Sequence, residues 1–114
     1  MKWFPIYLRP FLRETEELTM AQLGAYMRLM VWTMLYEAPL PSLTACFRAA
    51  GAKRGSETKI VKELLDRFFE QTERGWAHSG ALGQVRAYHD KVQAGRNKRG
   101  LAAEPHDIVS ATAA

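Results

Sequence analysis

One stretch limits the fold of this chain more than any other, the almost unbroken apolar segment from Leu23 to Tyr36. Just before it, Thr19 and Gln22 have the spacing of a capping box, which predicts that a helix begins here. An arginine and a threonine are the exceptions in the apolar run, so the helix is expected to be covered on most sides. It should end near Glu37 or Ala38, because the residue before Pro39 is disfavoured in a helix. The rest of the chain is therefore expected to pack around this central helix.

Two shorter amphipathic segments follow the central helix. Ser42 is a suitable N-cap and Gly51 a suitable C-terminal stop for the first of them. Ser56 is the expected N-cap of the second, whose apolar stripe runs from Ile60 to Phe68. Two short helices joined by a turn are typical of a helix-turn-helix unit.

A β-hairpin is predicted after the helix-turn-helix, because residues 68–79 have the pattern of two short strands around a turn from Thr72 to Gly75. The opening segment, Trp3 to Leu8, is apolar at alternate positions on both faces and is expected to form a strand or extended strap buried on both sides. Pro5 and Pro10 restrict such a strand to the edge of a sheet. The predicted fold class is therefore a mainly helical α+β domain, winged-helix-like, with a short β-hairpin wing and an N-terminal extended strand.

The C-terminal part is expected to divide into a helix and a tail. Apolar positions such as Val85 and Val92 predict a last helix, and the domain is expected to span residues 1–94. Residues 95–114 are predicted to form a tail that is first basic and then disordered. Residues 84–100 hold five Lys or Arg side chains against one acidic side chain, although the whole chain has a net charge of only +4. This concentration of charge suits a polyanionic partner, although a solvated charged helix is the commoner explanation of such a run.

Export and membrane insertion are not expected. Prolines and arginines interrupt the opening apolar segment, which excludes the continuous core of a secretory signal. No segment approaches the roughly 20 apolar residues that are required to span a bilayer. The single cysteine, Cys46, lies on the apolar stripe of the second helix and is expected to be a core residue. A cytoplasmic location and no membrane partner are therefore predicted.

The sequence contains no pattern typical of a catalytic or cofactor-binding site. His78, His89 and His106 lack the spacing of metal ligands, so no metal site is predicted. Gly51 and Gly55 lack the spacing of a phosphate-binding loop. His78 is instead expected to have a structural role. The protein is therefore predicted not to be an enzyme and to use no cofactor.

Five short segments relate the chain to a known family. They are KWFPIYL at residues 2–8, T..LT at 15–19, LGAYMRLMVW at 23–32, PLP at 39–41 and FF....RGWAH at 68–78. With these segments in the family's order and spacing, the chain resembles the YdaU-like family of phage and prophage proteins. The resemblance implies a winged-helix-like fold and a role in DNA transactions, with phage or prophage DNA replication as the expected setting.

The basic side chains of the predicted helix-turn-helix, wing and tail form the candidate DNA-binding set. It comprises Lys53, Arg54, Lys59, Lys62, Arg74, Arg96, Lys98 and Arg99. The preferred function is DNA binding in replication or its regulation, mainly through phosphate contacts, and the start of the third helix is expected to suit phosphate oxygens. Residues 57–70 hold three basic and four acidic side chains, however, which also suits a protein partner. The alternative function is a non-enzymatic adaptor that recruits replication proteins through this helix.

Overall fold

Helices dominate the part of the chain that the computed structural model describes, which is residues 2–98, with side chains to residue 96. The elements in chain order are α1 (Leu8–Thr15), α2 (Met20–Tyr36), α3 (Leu43–Ala50), α4 (Gly55–Phe68), β1 (Glu70–Thr72), β2 (Gly75–Ala77) and α5 (Ser79–Lys98). The two strands form an antiparallel pair. The described residues thus have a mainly helical α+β fold, which confirms the predicted fold class.

The central helix is α2, and its start agrees with the prediction. The Thr19 Oγ1 atom accepts a hydrogen bond from the Gln22 N–H (3.1 Å), and the Gln22 Oε1 atom accepts one from the Thr19 N–H (2.8 Å). This reciprocal capping box satisfies two backbone donors at the helix start. At the other end, Glu37 takes a left-handed conformation (φ 56°) and terminates the helix two residues before Pro39. Helices α3, α4 and α5 all pack against α2.

Helices α3, α4 and α5 cover α2 on most sides, as expected, but one row of its residues is exposed. Tyr26, Leu29 and Met34 are buried, whereas Val31 and Leu35 are 42% and 55% exposed. An apolar run indicates that a helix is hydrophobic. How many other elements pack against that helix depends on the tertiary arrangement. The side chains of Val31 and Leu35 therefore belong to a surface of the described fold rather than to its core.

Both helices of the predicted helix-turn-helix are present. The Ser42 Oγ atom caps α3 by accepting the Ala45 N–H (3.1 Å), and Gly51 ends α3 with a φ of 79°. The cap of α4 differs from the prediction, because the helix begins at Gly55 and Ser56 lies inside its first turn. The side chain of Glu57 acts as the cap, since a glutamate at the third helical position is long enough to reach the N–H groups that precede the helix.

The opening segment is not a strand, contrary to the prediction. Residues 2–7 have no strand partner among the residues that the structure describes, and α1 begins at Leu8. The segment is not buried on both sides either, since Tyr7 and Leu8 are exposed and only Phe4 packs, partly buried, against the core. Pro10 does not prevent a helix here. It is the third residue of α1, where backbone N–H groups have no acceptor within the helix.

The hairpin agrees with the prediction and gains a one-residue third strand. β1 and β2 pair with Gln71 opposite Trp76. Leu40 forms a further antiparallel bridge to Trp76, and the two residues exchange both backbone hydrogen bonds at 2.9 and 2.7 Å. Leu40 lies between α2 and α3, so the order is helix, bridge residue, two helices and hairpin. This is the order of elements in a winged helix, in which the hairpin is the wing.

A chain of three hydrogen-bonded side chains, the core relay, joins α1, α2 and the start of α5. The Nδ1 atom of His78 accepts the Ala81 N–H (3.0 Å), so the proton of the neutral imidazole resides on Nε2. The Nε2–H group then donates to the Tyr26 hydroxyl (2.9 Å), which itself donates to the Glu14 carboxylate (2.6 Å). His78 is buried and caps α5, a structural role of the kind expected from the sequence.

Acid is expected to destabilise the protein through His78. Burial lowers the pKa of its imidazole below the usual value of 6.5, against the opposing effect of the Glu14 carboxylate. Because the unfolded chain then binds a proton more readily than the folded chain, stability falls as the pH drops below about 6.5. Above that pH the group is neutral in both states and contributes no pH dependence. The melting temperature should therefore decline between roughly pH 7 and pH 5.5.

Two histidine variants test the origin of this decline. The variant His78→Asn keeps an N-cap acceptor but does not titrate, so its melting temperature should vary less over the same range. The matched control is His89→Asn, which removes the contact of this exposed α5 side chain with Glu37 but leaves His78 in place, so the decline that His78 causes should persist. An equally steep decline in His78→Asn would show that another group is responsible.

Helix α5 continues into the predicted basic tail. It runs to Lys98, so residues 95–98 of that tail are helical. Arginine and lysine are good helix formers, so the dense positive charge of this segment does not oppose a helix. Arg99 and residues 100–114, which make up the rest of the predicted tail, lie outside the described residues.

Candidate nucleic-acid interface

The turn between α3 and α4 presents two of the predicted cations, Lys53 and Arg54, and both are exposed. Their backbone N–H groups donate to the Glu57 Oε1 atom, at 2.8 Å from Lys53 and 3.0 Å from Arg54. These bonds lower the pKa of Glu57, so its carboxylate is charged at neutral pH. The backbone of the turn is therefore fixed against α4, while the two cationic side chains remain accessible to a ligand.

The same carboxylate changes how α4 can meet a phosphate. The start of this helix was expected to suit phosphate oxygens, as helix N-termini commonly do. Glu57 already occupies that position and accepts the N–H groups that precede the helix. A phosphate approaching along the helix axis would meet a negative charge, so phosphate contacts in this region depend on the side chains of Lys53 and Arg54.

The outer face of α4 carries Lys59 and Lys62, which are exposed as predicted. Glu63 follows Lys59 by four positions and Asp66 follows Lys62 by four, a spacing at which opposite charges are neighbours on a helix. These four side chains sum to no net charge. The outer face of α4 therefore adds polar contacts to the candidate interface but little general attraction for a polyanion.

Arg74 occupies the tip of the hairpin and is exposed. The Thr72 Oγ1 atom accepts the Arg74 N–H (3.2 Å) and donates its own proton to the Gly75 carbonyl (2.8 Å). The tip is thus closed by a threonine that bonds across the two-residue loop. Glu73 is the other loop residue, so one positive and one negative side chain share the wing tip.

Arg28 is a cation that the sequence analysis did not assign to this region. It lines a groove of about 470 Å³ between α2 and the α3–α4 turn, together with Lys53 and Glu57. A guanidinium nitrogen of Arg28 lies 3.0 Å from the position that a Cβ atom would occupy on Gly51, at the C-terminal end of α3. The signal was present in the sequence, because a single arginine within an apolar helix marks the side of that helix that reaches solvent.

The basic residues of the predicted tail are on a different element. Arg96 is exposed in the last turn of α5, and Lys98 is the last residue of that helix. Helix α5 packs against α2, whereas Lys53 and Arg54 lie in the turn between α3 and α4. The structure therefore places the predicted cations of the turn, α4 and the hairpin on consecutive elements from α3 to β2, and Arg96 on a separate helix.

Two buried side chains outside this region, His78 and Cys46, carry groups that could act in catalysis or metal binding. A cavity of about 150 Å³ is lined in part by Glu14, His78 and Gln84, but both ring nitrogens of His78 are engaged in the core relay. Burial raises the pKa of the Cys46 thiol to about 11, so this core side chain stays protonated. Within residues 2–98, no three His, Cys, Asp or Glu side chains are close enough to hold a metal ion.

None of the helices in the described part of the chain combines the length and the apolar character needed to cross a bilayer.

The chain was also compared with known proteins. No curated protein and no solved structure matches it significantly. A family match covers residues 2–85, from the segment before α1 into α5. This span contains the helix-turn-helix and the hairpin, and it ends before Arg96. Because the match covers most of the chain, this protein belongs to the family described as "Protein of unknown function (DUF1376)".

Proposed function

We propose that this chain is a non-enzymatic DNA-binding protein of phage or prophage origin that acts in DNA replication or its regulation. The observation that carries the proposal is the position of five exposed cations on the three parts of a winged helix that commonly meet a duplex. These are the turn between α3 and α4, the outer face of α4 and the tip of the hairpin, which carry Lys53, Arg54, Lys59, Lys62 and Arg74.

Binding on this surface is mainly electrostatic and has little dependence on base sequence. Lys53 and Arg54 together carry two positive charges against the single negative charge of Glu57, whose Oε1 atom is held by their backbone N–H groups, so the turn keeps a net positive charge. The outer face of α4 has no net charge, so its lysines contribute little to the attraction between the protein and DNA. They serve mainly to orient the domain on the duplex. Contacts of this kind position a protein on a duplex, and their strength depends on salt.

The test is the salt dependence of binding to a fluorescently labelled duplex, measured by anisotropy. Replacing Lys53, Arg54 and Arg74 with alanine should make the slope of log affinity against log salt shallower by about 2 to 3, near 0.9 for each phosphate that is no longer neutralised. The effect should be similar on duplexes of unrelated sequence. A second variant with alanine at Arg96, Lys98 and Arg99 measures the contribution of the C-terminal basic segment separately.

The matched control removes the same charge from other elements. Arg9 and Arg13 on α1 and Arg86 on α5 are exposed and lie outside the proposed surface, so their triple alanine variant should keep a slope close to that of the wild type. Equal slopes for this control and for the variant at Lys53, Arg54 and Arg74 would move the contact away from the α3–α4 turn and the hairpin. No binding of the wild type at low salt would overturn the DNA-binding proposal.

A second candidate function is a protein-interaction adaptor. It is favoured by the outer face of α4, where each lysine has a carboxylate four positions later and the charges cancel. Such a face suits a partner with its own mixed charges better than it suits a polyanion. An adaptor of this kind would show little retention on DNA at any salt concentration, which separates it from the first proposal.

A further inference from the structure

The exposed side of α2 carries a regular row of residues, named here the α2 stripe. It consists of Ala21, Gly24, Arg28, Val31 and Leu35, which follow one another at alternating steps of three and four. All five are exposed, including the two large apolar side chains. Steps of three and four keep residues in one narrow line along a helix, as in the seam between two helices of a coiled coil.

The two ends of the α2 stripe differ in shape, and each end can contact a docked helix in its own way. Ala21 and Gly24 are small, and no heavy atom lies within 4 Å of the position that a Cβ atom would occupy on Gly24. A second helix can therefore approach the backbone closely at this end. Val31 and Leu35 project at the other end, where they can pack between side chains of the approaching helix.

Two grooves border the stripe. One, of about 320 Å³, is lined by Trp3, Val31 and Leu35, with Lys2 at its edge. The other, of about 470 Å³, is lined by Arg28 and the α3–α4 turn. Trp3 is 39% exposed, so an aromatic ring with an accessible surface forms part of the first groove. The bordering grooves give a docked helix apolar contacts beyond the stripe itself.

The charges along these grooves are mostly positive. Lys2, Arg28 and Lys53 line the two grooves. The carboxylate in the same lining is Glu57, and its Oε1 atom accepts two backbone hydrogen bonds. Glu37, which follows α2, contacts the His89 imidazole at 2.7 Å. A partner that complements this surface is therefore acidic beside its apolar residues.

A second copy of this chain fits the surface poorly. Arg28 is the middle residue of the stripe, so a symmetric antiparallel pairing of two α2 helices places the two Arg28 side chains opposite each other. Helix α1 carries two exposed leucines, Leu8 and Leu12, but it also carries Arg9 and Arg13. Both arrangements bring like charges together.

We propose that the α2 stripe docks an amphipathic helix of a partner protein, with apolar residues along one face and acidic residues beside them. This surface is distinct from the outer face of α4 but shares Lys53 with the proposed DNA-binding surface. The docked helix packs its apolar residues between Val31 and Leu35, approaches closely at Gly24 and places its carboxylates near Arg28 and Lys2.

The proposal can be tested with two synthetic helical peptides of about 20 residues, each with leucine at the positions of a coiled-coil seam. One peptide carries glutamate and the other lysine at the flanking positions, and binding to the whole protein is followed by anisotropy. The acidic peptide should bind at least about tenfold more tightly than the basic one. The double variant Val31→Glu, Leu35→Glu should lose at least about tenfold in affinity for it.

The matched control is Leu8→Glu with Leu12→Glu, which places the same charges on the exposed apolar residues of α1 and should leave the affinity unchanged. Arg28→Glu should reverse the preference for the acidic over the basic peptide, and it alters only an exposed side chain. Equal binding of both peptides, or no effect of the α2 variants, would overturn the proposal. A concentration-dependent dimer in sedimentation that the α2 double variant abolishes would also overturn it, since the occupant would then be a second copy.

Discussion

The variant Gly75→Ala is expected to lose at least about 3 kcal/mol of folding stability. Gly75 begins β2 with a φ of 126°, a conformation that residues with a side chain rarely adopt. A Cβ atom there would lie 2.0 Å from the Leu40 carbonyl oxygen and 2.9 Å from the Pro41 Cα atom, and these are backbone atoms that cannot rotate away. The strand and the Leu40 segment would have to separate, which breaks both backbone hydrogen bonds between Leu40 and Trp76.

The stability loss can be measured by urea unfolding, with Gly83→Ala as the matched control. Gly83 lies within α5, and nothing lies within 4 Å of its Cβ position. The same substitution there removes backbone freedom from a helix position and should stabilise the protein by up to about 1 kcal/mol. If Gly75→Ala unfolds at the wild-type urea concentration, the bridge between Leu40 and the hairpin is not the constraint inferred from the geometry.

The variant Tyr26→Phe is expected to cost about 1 to 3 kcal/mol. The Tyr26 ring is fully buried, and its hydroxyl accepts from the His78 Nε2–H and donates to Glu14. Burial, together with the Glu14 carboxylate, raises the pKa of Tyr26, so the hydroxyl keeps its proton and serves as a donor at any physiological pH. Phenylalanine fills the same space but leaves the buried Nε2–H of His78 without an acceptor, which costs the desolvation of that group.

The control for this variant is Tyr36→Phe, at the last residue of α2, where the side chain is 60% exposed. Its hydroxyl can bond to water before and after folding, so the free energy of unfolding should change by less than about 0.5 kcal/mol. Similar losses in the two variants would mean that the core relay contributes no more than an exposed hydroxyl does. Both free energies can be measured by urea unfolding at neutral pH, where His78 is neutral.

Helix limits were predicted well where they depend on neighbouring residues. Thr19 with Gln22, and Ser42 with Gly51, act within three or four positions of the backbone groups that they satisfy or redirect. The wrong prediction that Ser56 is the N-cap of α4 also concerns neighbouring residues. Glu57 was an equally visible candidate, and the longer side chain at the third helical position provides the cap.

The candidate interface was predicted only in part. The exposure of Lys53, Arg54 and Arg74 follows from their place in turns, since connecting segments run over the surface. The groove that joins Arg28 to Lys53 could not be read from the sequence, because it requires α2 to pass beside the turn between α3 and α4. The engagement of Glu57 was also missed, and it decides that side chains rather than helix N–H groups face a ligand at this point.

The sequence alone determined the mainly helical class, the central position of α2 and the hairpin, because caps, turns and apolar periodicity act over a few residues. The tertiary structure decided which apolar residues are covered. Tyr26 and His78 are 52 positions apart and bond in the core, whereas Val31 and Leu35 of the same apolar run are exposed. It also decided that Leu40 becomes a one-residue strand of the hairpin and that the opening segment has no sheet to join. Which apolar residues are buried depends on which elements pack together in three dimensions. The order of apolar residues along the chain does not specify that packing, because the hydrophobic effect has no preferred direction.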